Sequence, residues 1–178
     1  MWELINLANH HPRVNILQPG PGVGGHCIAV DPWFIVAADP ENARLIKTAR
    51  EVNDAKPDHV VREILAPIAD LASPVIATLG LAFKANIDDM RESPAVGIVR
   101  KLALSRPDAV IEVVEPHATV LPRDLRDLPN VSLNSKDDVL NTADVIALLV
   151  KHDKFGDIDQ STLTGKHVVD AGGFWPSL

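Results

Sequence analysis

Cysteine is nearly absent from this chain, and so is any block of basic residues. One cysteine, Cys27, occurs among 178 residues, so no internal disulfide can form. Such sparse use of cysteine is typical of a reducing compartment, and we expect the protein to be cytoplasmic. The formal net charge is −7. An acidic chain without Lys/Arg clusters is not expected to bind nucleic acid or an anionic membrane surface.

Long hydrophobic runs are also missing. No apolar stretch reaches the roughly 20 residues that a membrane-spanning helix needs. The first residues include Glu3 and the pair His10-His11, and they lack the basic and apolar regions of a signal peptide. Hydrophobic residues make up 46% of the chain, which is enough to bury a substantial core. The sequence therefore predicts a soluble globular protein.

Glycine is concentrated directly before the cysteine. Residues 19–35 read Pro19-Gly20-Pro21-Gly22-Val23-Gly24-Gly25-His26-Cys27-Ile28-Ala29-Val30-Asp31-Pro32-Trp33-Phe34-Ile35. A glycine loop lets a ligand approach the backbone, and a thiol beside it can act as a nucleophile once it is deprotonated. Two other interpretations are a buried structural cysteine next to an ordinary turn and a phosphate-binding loop that happens to precede a cysteine.

The loop also matches the dinucleotide-binding pattern G-x-G-x-x-G through Gly20, Gly22 and Gly25. That pattern requires a long helix from the third glycine. Instead, Asp31 and Pro32 follow one to two turns later, which suits a new helix with Asp31 as its N-cap and Pro32 at its first position. The glycine loop is therefore not predicted to be a dinucleotide-binding turn.

The chain divides into three predicted parts: residues 1–38, which carry a short helical pattern and the glycine loop, then 39–72 and 73–178. Asp39-Pro40-Glu41 predicts the start of the central helix, whose apolar residues recur at helical spacing. Pro57 and Pro67 are expected to kink or interrupt it. Its apolar stripe indicates either a dimer or interdomain surface or packing on its own domain.

From residue 73 onward, short apolar runs alternate with amphipathic segments. The runs predicted as strands are 75–79, 110–114, 145–150 and 167–170, and the segments predicted as helices are 94–104 and 136–141. Such alternation predicts an α/β fold with a parallel sheet. Ligands of these sheets bind beyond the carboxyl ends of the strands.

One loop at such a strand end, residues 80–93, carries two cations. Lys84 and Arg91 precede Ser93, a predicted N-cap, so the loop could bind an anion such as a diphosphate. The equally weighted alternative is that the cations neutralise Asp88 and Asp89. His152 and His167 have no spacing typical of a metal site or a catalytic triad, so no metal is predicted and both are expected at the surface.

Together these stretches resemble the UDP-glucose/GDP-mannose dehydrogenase family over essentially the whole chain. The motifs that carry the resemblance are Gly-Gly-x-Cys with Asp31 four residues after Cys27, and Phe83-Lys84 followed by Asp-Asp-x-Arg-Glu-Ser. The resemblance implies a long central helix followed by a Rossmann-like parallel-sheet domain that binds a UDP-sugar. It also implies NAD-dependent oxidation at C6 of a nucleotide sugar. The glycine loop is most similar to the branch that acts on UDP-N-acetyl-D-mannosamine, with UDP-N-acetylglucosamine, UDP-glucose and GDP-mannose as alternatives.

The resemblance implies a role for each site residue. Cys27 is the expected nucleophile, which forms a thiohemiacetal and then a thioester. Asp31 either holds the hydrolytic water or only caps a helix. Arg91 is the expected NAD pyrophosphate contact. The expected substrate-binding residues are His11, Arg13, Gln18, Gly20, Gly22, Gly24, Phe83 and Lys84.

The family also has an N-terminal NAD-binding domain that this sequence does not contain. We therefore expect the chain to be the C-terminal half of such an enzyme, with NAD bound mainly by the absent domain. The isolated chain is expected to be inactive and to form a homodimer through the central helix. The alternative from another class is a non-catalytic module for nucleotide-sugar binding and dimerisation.

Overall fold

A computed structural model describes residues 2–175 of the chain. Its helices are α1 (Trp2–Ala8), α2 (Asp31–Ala38), α3 (Arg44–Leu65), α4 (Pro94–Ser105), α5 (Arg123–Arg126) and α6 (Lys136–Thr142). Its strands are β1 (Val75–Leu79), β2 (Val110–Val114), β3 (Val131–Leu133), β4 (Val145–Leu148) and β5 (His167–Asp170). Short 3-10 helices lie at Ala66–Ile68, Asp153–Phe155 and Gln160–Leu163.

The five strands form one parallel sheet in the order β3-β2-β1-β4-β5. A long helix precedes this sheet, so the predicted α/β fold class is confirmed. Ile76 of β1 pairs with Ile111 of β2 on one side and with Val145 of β4 on the other. Strand β3 was not predicted, because three residues are too short to give a recognisable apolar run.

The sheet is buried on both faces. One face packs with α3 and α4, and its fully buried side chains include Ile64, Ile76 and Ile98. The other face packs with α6 and the 3-10 helices, where Leu79 and Phe155 are buried. Two-sided burial explains why β1 and β4, in the middle of the sheet, were visible in the sequence as continuous apolar runs, whereas the edge strand β5 is only partly buried.

Helix α3 begins later than predicted. The Asp39 carboxylate accepts hydrogen bonds from the backbone and side-chain amides of Asn42, which closes a turn, so that the helix begins only at Arg44. It continues through Pro57 without interruption and becomes a 3-10 helix at Ala66–Ile68, which contains Pro67. The predicted change at Pro67 is confirmed, whereas at Pro57 the packing of the flanking turns outweighs the lost hydrogen bond.

Helix α3 packs with α4 on the sheet and with α2 on the N-terminal side. Its C-terminal half buries Val60, Val61 and Ile64 in the core, whereas Leu45 and Val52 of its N-terminal half are exposed. The apolar stripe of α3 therefore packs against its own domain only in the C-terminal half of the helix. No helix within residues 2–175 is both long enough and apolar enough to cross a membrane. The domain division at residues 38 and 72 stays a prediction.

Candidate functional site

The glycine loop and the β1–α4 loop enclose a cleft of about 670 Å³. Residues 17–24, 82–85, 93–95 and 149–151 line it. The cleft lies beyond the carboxyl ends of β1 and β4, where the strand order reverses. In open parallel sheets this switch point is the usual ligand-binding position.

Glycine is required in the loop where the two segments touch. A Cβ atom on Gly24 would lie 2.2 Å from the Glu92 carbonyl oxygen and 2.7 Å from Cδ of Pro94. Gly25 has a φ of +97°, and a Cβ there would lie 3.1 Å from the Phe83 ring. The loop can therefore pack against the start of α4 only because these positions carry no side chain.

Helix α3 holds this loop from the other side. The Asn53 side chain accepts a hydrogen bond from the Val23 N–H (2.8 Å) and donates to the Val23 carbonyl (3.2 Å). One turn earlier, the buried Arg50 guanidinium donates to the Ile28 carbonyl (3.4 Å) and forms an ion pair with Asp54 (2.6 Å). The backbone is thus anchored on both sides of the cysteine.

Cys27 is exposed. This contradicts the interpretation of a buried structural cysteine. Its carbonyl accepts hydrogen bonds from the N–H groups of Val30 (3.0 Å) and Asp31 (2.8 Å), and its Sγ lies 3.4 Å from Nδ1 of His26. Gly24 and Ile28, on either side of Cys27 in sequence, both line the cleft, whereas Cys27 itself is not one of the lining residues. The arrangement leaves the thiol accessible to a ligand.

Asp31 is not an N-cap, so that prediction is wrong. Val30 holds the N-cap position of α2, Asp31 is the first helical residue, and no side chain caps this helix end. The reason is that the turn begun at Cys27 already gives Val30 helical dihedral angles (φ −111°, ψ −48°). The exposed Asp31 carboxylate therefore has no capping role, and its role in holding the hydrolytic water stays a prediction.

The β1–α4 loop places its predicted residues differently. Ser93 caps α4, since its side chain accepts a hydrogen bond from the Ala95 N–H (3.2 Å), and this prediction is confirmed. Phe83 lies edge-on to the His26 ring at 6.2 Å, which joins the two loops. Lys84 is exposed, lines the cleft and forms no ion pair with a residue in the 2–175 range. Its ammonium group is therefore available to an anion.

Arg91 is already paired. Its guanidinium donates to both oxygens of Asp89, with an Nη2–Oδ2 distance of 2.5 Å, and its side chain is 68% exposed. The neutralising alternative therefore holds for Arg91. The hydrogen bonds from Arg91 lower the pKa of Asp89 from 3.8 to about 2.

We expect Asp89 to remain ionised at pH 3, and Arg91→Ala to return its pKa toward 3.8. Because the folded-state pKa is the lower one, the stabilisation is complete above pH 3.8 and is lost as the pH falls through about 2. Carbon-13 NMR titration of the carboxyl groups measures this. Asp108, whose pKa is lowered to about 2 by Arg106, is the internal control and should not change. An unchanged Asp89 in the variant would contradict the assigned cause.

The remaining predicted substrate residues lie in or near the N-terminal loop. Gln18, Gly20 and Gly22 line the cleft, as Gly24 does. His11 and Arg13 are exposed and do not line it, and the Arg13 N–H donates to Nδ1 of His11 (3.2 Å). The structure therefore brings residues 17–24 of the glycine loop together with Phe83 and Lys84. The predicted residues Cys27, Asp31, His11 and Arg13 do not line the cleft of this one chain.

Sequence reasoning missed a buried pair next to the cleft. His152, predicted at the surface, is fully buried, and its Nε2 lies 3.2 Å from Oε2 of Glu115, which is also buried. The prediction was wrong because the burial arises from two strand ends that are 37 residues apart in sequence. The one available signal was the position of Glu115 directly after β2.

Within residues 2–175, the glycine loop does not build a dinucleotide site for NAD. Gly20, Gly22 and Gly25 follow no strand, and the next helix begins only at Asp31. Arg91, the one predicted NAD contact, uses two of its nitrogens on Asp89. Neither the glycine loop nor Arg91, as the structure describes them, therefore forms the core of a site for that cofactor.

A parallel sheet with helices on both faces and a cleft at its switch point places the chain among the open-sheet α/β proteins that bind ligands at this position. The family models agree on a particular family. The UDP binding domain of the UDP-glucose/GDP-mannose dehydrogenase family matches residues 77–176, and the central domain of the same family matches residues 1–55. The chain belongs to the UDP-glucose/GDP-mannose dehydrogenase family.

Curated relatives match nearly the whole chain. An NDP-N-acetyl-D-galactosaminuronic acid dehydrogenase from Ralstonia solanacearum is 56% identical over 98% of this chain and 40% of the relative. A UDP-N-acetyl-D-mannosamine dehydrogenase from Salmonella typhi is 55% identical over 98% of this chain and 43% of the relative. The chain thus spans about two fifths of the length of these relatives.

Solved structures share the fold. A UDP-D-ManNAc dehydrogenase from Pyrococcus horikoshii aligns with a TM-score of 0.76 and 30% identity, over 99% of this chain and 41% of the other. A UDP-N-acetyl-mannosamine dehydrogenase from Staphylococcus aureus aligns with a TM-score of 0.72 and 34% identity, over 99% of this chain and 40% of the other.

Proposed function

We propose that this chain is the C-terminal part of an NAD-dependent nucleotide-sugar 6-dehydrogenase that oxidises UDP-N-acetyl-D-mannosamine to UDP-N-acetyl-D-mannosaminuronate. The observation that carries the proposal is the exposed Cys27 between two cleft-lining residues, Gly24 and Ile28. Relatives that bear the name UDP-N-acetyl-D-mannosamine dehydrogenase support the choice of sugar. The Ralstonia relatives, named for N-acetyl-D-galactosaminuronic acid, support the wider class of N-acetylhexosamine substrates.

The chemistry explains the need for a thiol. Removal of a hydride and a proton from the C6 alcohol leaves an aldehyde, and an aldehyde carbon is a poor hydride donor until a nucleophile adds to it. The Cys27 thiolate adds to that carbon, and the resulting alkoxide takes up a proton to form a thiohemiacetal. Loss of a second hydride from the carbon and of the hydroxyl proton then gives a thioester. Water then releases the carboxylate and the thiol. The acceptors for the two hydrides are two successive NAD+ molecules, which would be bound mainly outside this chain.

The other residues bind and orient the substrate in this proposal. The backbone of Gln18, Gly20, Gly22 and Gly24 faces the sugar and diphosphate, because the glycines let a ligand approach closely. Phe83 packs against the uracil, and the ammonium of Lys84, which pairs with no carboxylate in residues 2–175, binds the diphosphate. Asp31, which is free of a capping role, holds the hydrolytic water. His11 and Arg13 reach the nucleotide sugar of a second subunit, which fits their position outside the cleft of their own chain.

We expect iodoacetamide to alkylate Cys27 readily near neutral pH, and UDP-N-acetylmannosamine to slow the reaction. At a ligand concentration ten times the dissociation constant, the rate should fall about tenfold, since only the free protein reacts. Mass spectrometry reports Cys27 alone, because the chain has no other cysteine.

Two variants test whether protection of Cys27 from alkylation depends on Lys84. Lys84→Ala should lose most of it, since the diphosphate loses its cation, whereas Lys47→Ala should retain it. Lys47 is a matched control because it is exposed on α3 and pairs with Glu51. Equal alkylation with and without the nucleotide sugar would contradict the proposed site.

The proposal includes a homodimer formed through the N-terminal half of α3. Leu45 and Val52 lie seven residues apart on one helix face and are 82% and 69% exposed, and Phe34 and Ile35 of the adjacent α2 are exposed as well. We expect the wild-type chain to sediment as a dimer and the double variant Leu45→Lys, Val52→Lys as a monomer. Val120→Lys, at an exposed position outside this surface, should stay dimeric. A monomeric wild-type chain would refute this part of the proposal.

A further inference from the structure

A buried acid–histidine pair joins the ends of β2 and β4 to the β1–α4 loop. The side chains of Glu115 and His152 are both 0% exposed, and their Oε2 and Nε2 atoms are 3.2 Å apart. Neither residue lines the cleft of about 670 Å³, but the loop segments 82–85 and 149–151 beside them do. The pair is therefore placed to act on the cleft through the backbone.

Both oxygens of Glu115 are used within the fold. Oε2 accepts hydrogen bonds from the backbone N–H groups of Leu81 (2.7 Å) and Ala82 (3.2 Å). Oε1 accepts a hydrogen bond from the backbone N–H of His117 (2.9 Å). Burial raises the pKa of the Glu115 carboxyl, but the hydrogen bonds from His152 and from the Leu81 and His117 amides outweigh it and leave the pKa below its ordinary value. Glu115 is thus an ionised acceptor that fixes Leu81 and Ala82, the second and third residues after β1.

His152 fixes the same loop four residues further along. Its Nδ1 accepts a hydrogen bond from the Asn86 N–H (2.9 Å), so that nitrogen carries no proton and Nε2–H donates to Glu115. The Asn86 side chain in turn accepts a hydrogen bond from the Asp153 N–H (2.9 Å). Asn86 has a φ of +63°, a left-handed conformation that these bonds hold in place.

Packing fixes the orientation of the imidazole as well. The His152 ring lies 4.9 Å from the His117 ring and edge-on to Phe155 at 5.6 Å. The ring therefore cannot turn to exchange its two nitrogens without breaking these contacts. Phe83 and Lys84, which line the cleft, lie between Ala82 and Asn86, the positions that Glu115 and His152 hold.

We propose that His152 and Glu115 are positioning residues for nucleotide binding, which hold the β1–α4 loop at Leu81, Ala82 and Asn86 so that Phe83 and Lys84 face the cleft. His152 acts as the neutral Nε2–H tautomer. The link to nucleotide binding rests on the function proposed above, whereas the hold on the loop does not.

The tautomer is tested on the nitrogen-15-labelled chain by long-range proton–nitrogen NMR spectra at neutral pH. The expected result is a proton on Nε2 of His152 and none on Nδ1. A proton on Nδ1 would overturn the proposal, because that nitrogen could then not accept from Asn86.

The hold on the loop is tested by amide hydrogen exchange. In His152→Ala, the Asn86 amide should exchange about tenfold faster or more, because it loses a buried acceptor, while the Ile146 amide in the sheet should not change. His152→Asn should restore much of the protection, since its Oδ1 can replace Nδ1 as the acceptor. His167→Ala, at an exposed histidine at the start of β5, is the matched control. Unchanged exchange at Asn86 in His152→Ala would overturn the proposal.

The consequence for binding is tested by calorimetry with UDP. The affinity should fall about tenfold in His152→Ala and less in His152→Asn. Equal affinity of wild type and His152→Ala would overturn the positioning role. If the wild-type chain binds no UDP, the proposed function fails at that point and the Asn86 exchange alone decides the positioning role.

A second substitution covers the case in which His152→Ala does not fold. Glu115→Gln keeps the shape of the side chain but turns an NH₂ group toward N–H donors, so the affinity for UDP should again fall about tenfold. Wild-type affinity in a folded Glu115→Gln chain would overturn the proposal.

Discussion

Gly24→Ala is expected to destabilise the folded chain by about 3 kcal/mol or more, because the new methyl group has no space. Its Cβ would lie 2.2 Å from the Glu92 carbonyl oxygen, which is backbone and cannot rotate away as a side chain does. Glu92 itself has a φ of +49°, so it has little freedom to yield. For a chain of this size the change corresponds to a fall in Tm of roughly 6–12 °C.

Differential scanning calorimetry measures this effect, and Gly20→Ala is the matched control in the same loop. A Cβ on Gly20 would meet no atom within 4 Å. Gly20→Ala should therefore leave the Tm within about 2 °C of wild type. A Gly24→Ala chain as stable as Gly20→Ala would show that the glycine loop does not pack against the start of α4.

The purified 178-residue chain is expected to show no turnover of UDP-N-acetylmannosamine with NAD+. The glycine loop within the described residues lacks the strand–turn–helix geometry of a dinucleotide site, and Arg91 is engaged with Asp89. Without a bound acceptor, a hydride cannot leave C6, however well Cys27 is placed. Absorbance at 340 nm during incubation with substrate and cofactor measures the formation of NADH.

The positive control for that assay is a full-length relative, such as the UDP-N-acetyl-D-mannosamine dehydrogenase from Salmonella typhi. Turnover by the 178-residue chain above that of its Cys27→Ala variant would refute the prediction. Protection of Cys27 from alkylation by the nucleotide sugar, together with absent turnover, is the combination that the proposed function requires.

Local chemistry made some parts of the fold predictable. Ser93 caps α4 as predicted, because a cap depends on its own side chain and on the next few backbone amides. The strands β1 and β4 were visible because burial on both faces of the sheet demands apolar residues, and β2 and β5 because short apolar runs remain in them although they are less buried. These features depend on residues that are neighbours in sequence.

Two predicted helix starts were wrong because an adjoining turn, and not the capping residue itself, set the backbone conformation there. Asp31 and Asp39 both carry the residue chemistry of a helix start, yet the turn at Cys27 places Val30 at the N-cap position of α2 and the turn at Asn42 delays α3 to Arg44. A capping residue is effective only if its own dihedral angles are extended, and the adjoining turn decides that.

The sequence by itself determined the α/β class, the glycine loop with its single cysteine, and the family, because apolar periodicity and short motifs lie within a few residues of one another. Only the tertiary structure decided which of those motifs meet. It joined Gly24 and Gly25 to the β1–α4 loop, engaged Arg91 with Asp89, and buried His152 on Glu115. Such contacts depend on how the sheet brings together strand ends that are far apart in sequence, and no local sequence pattern shows which ends will meet.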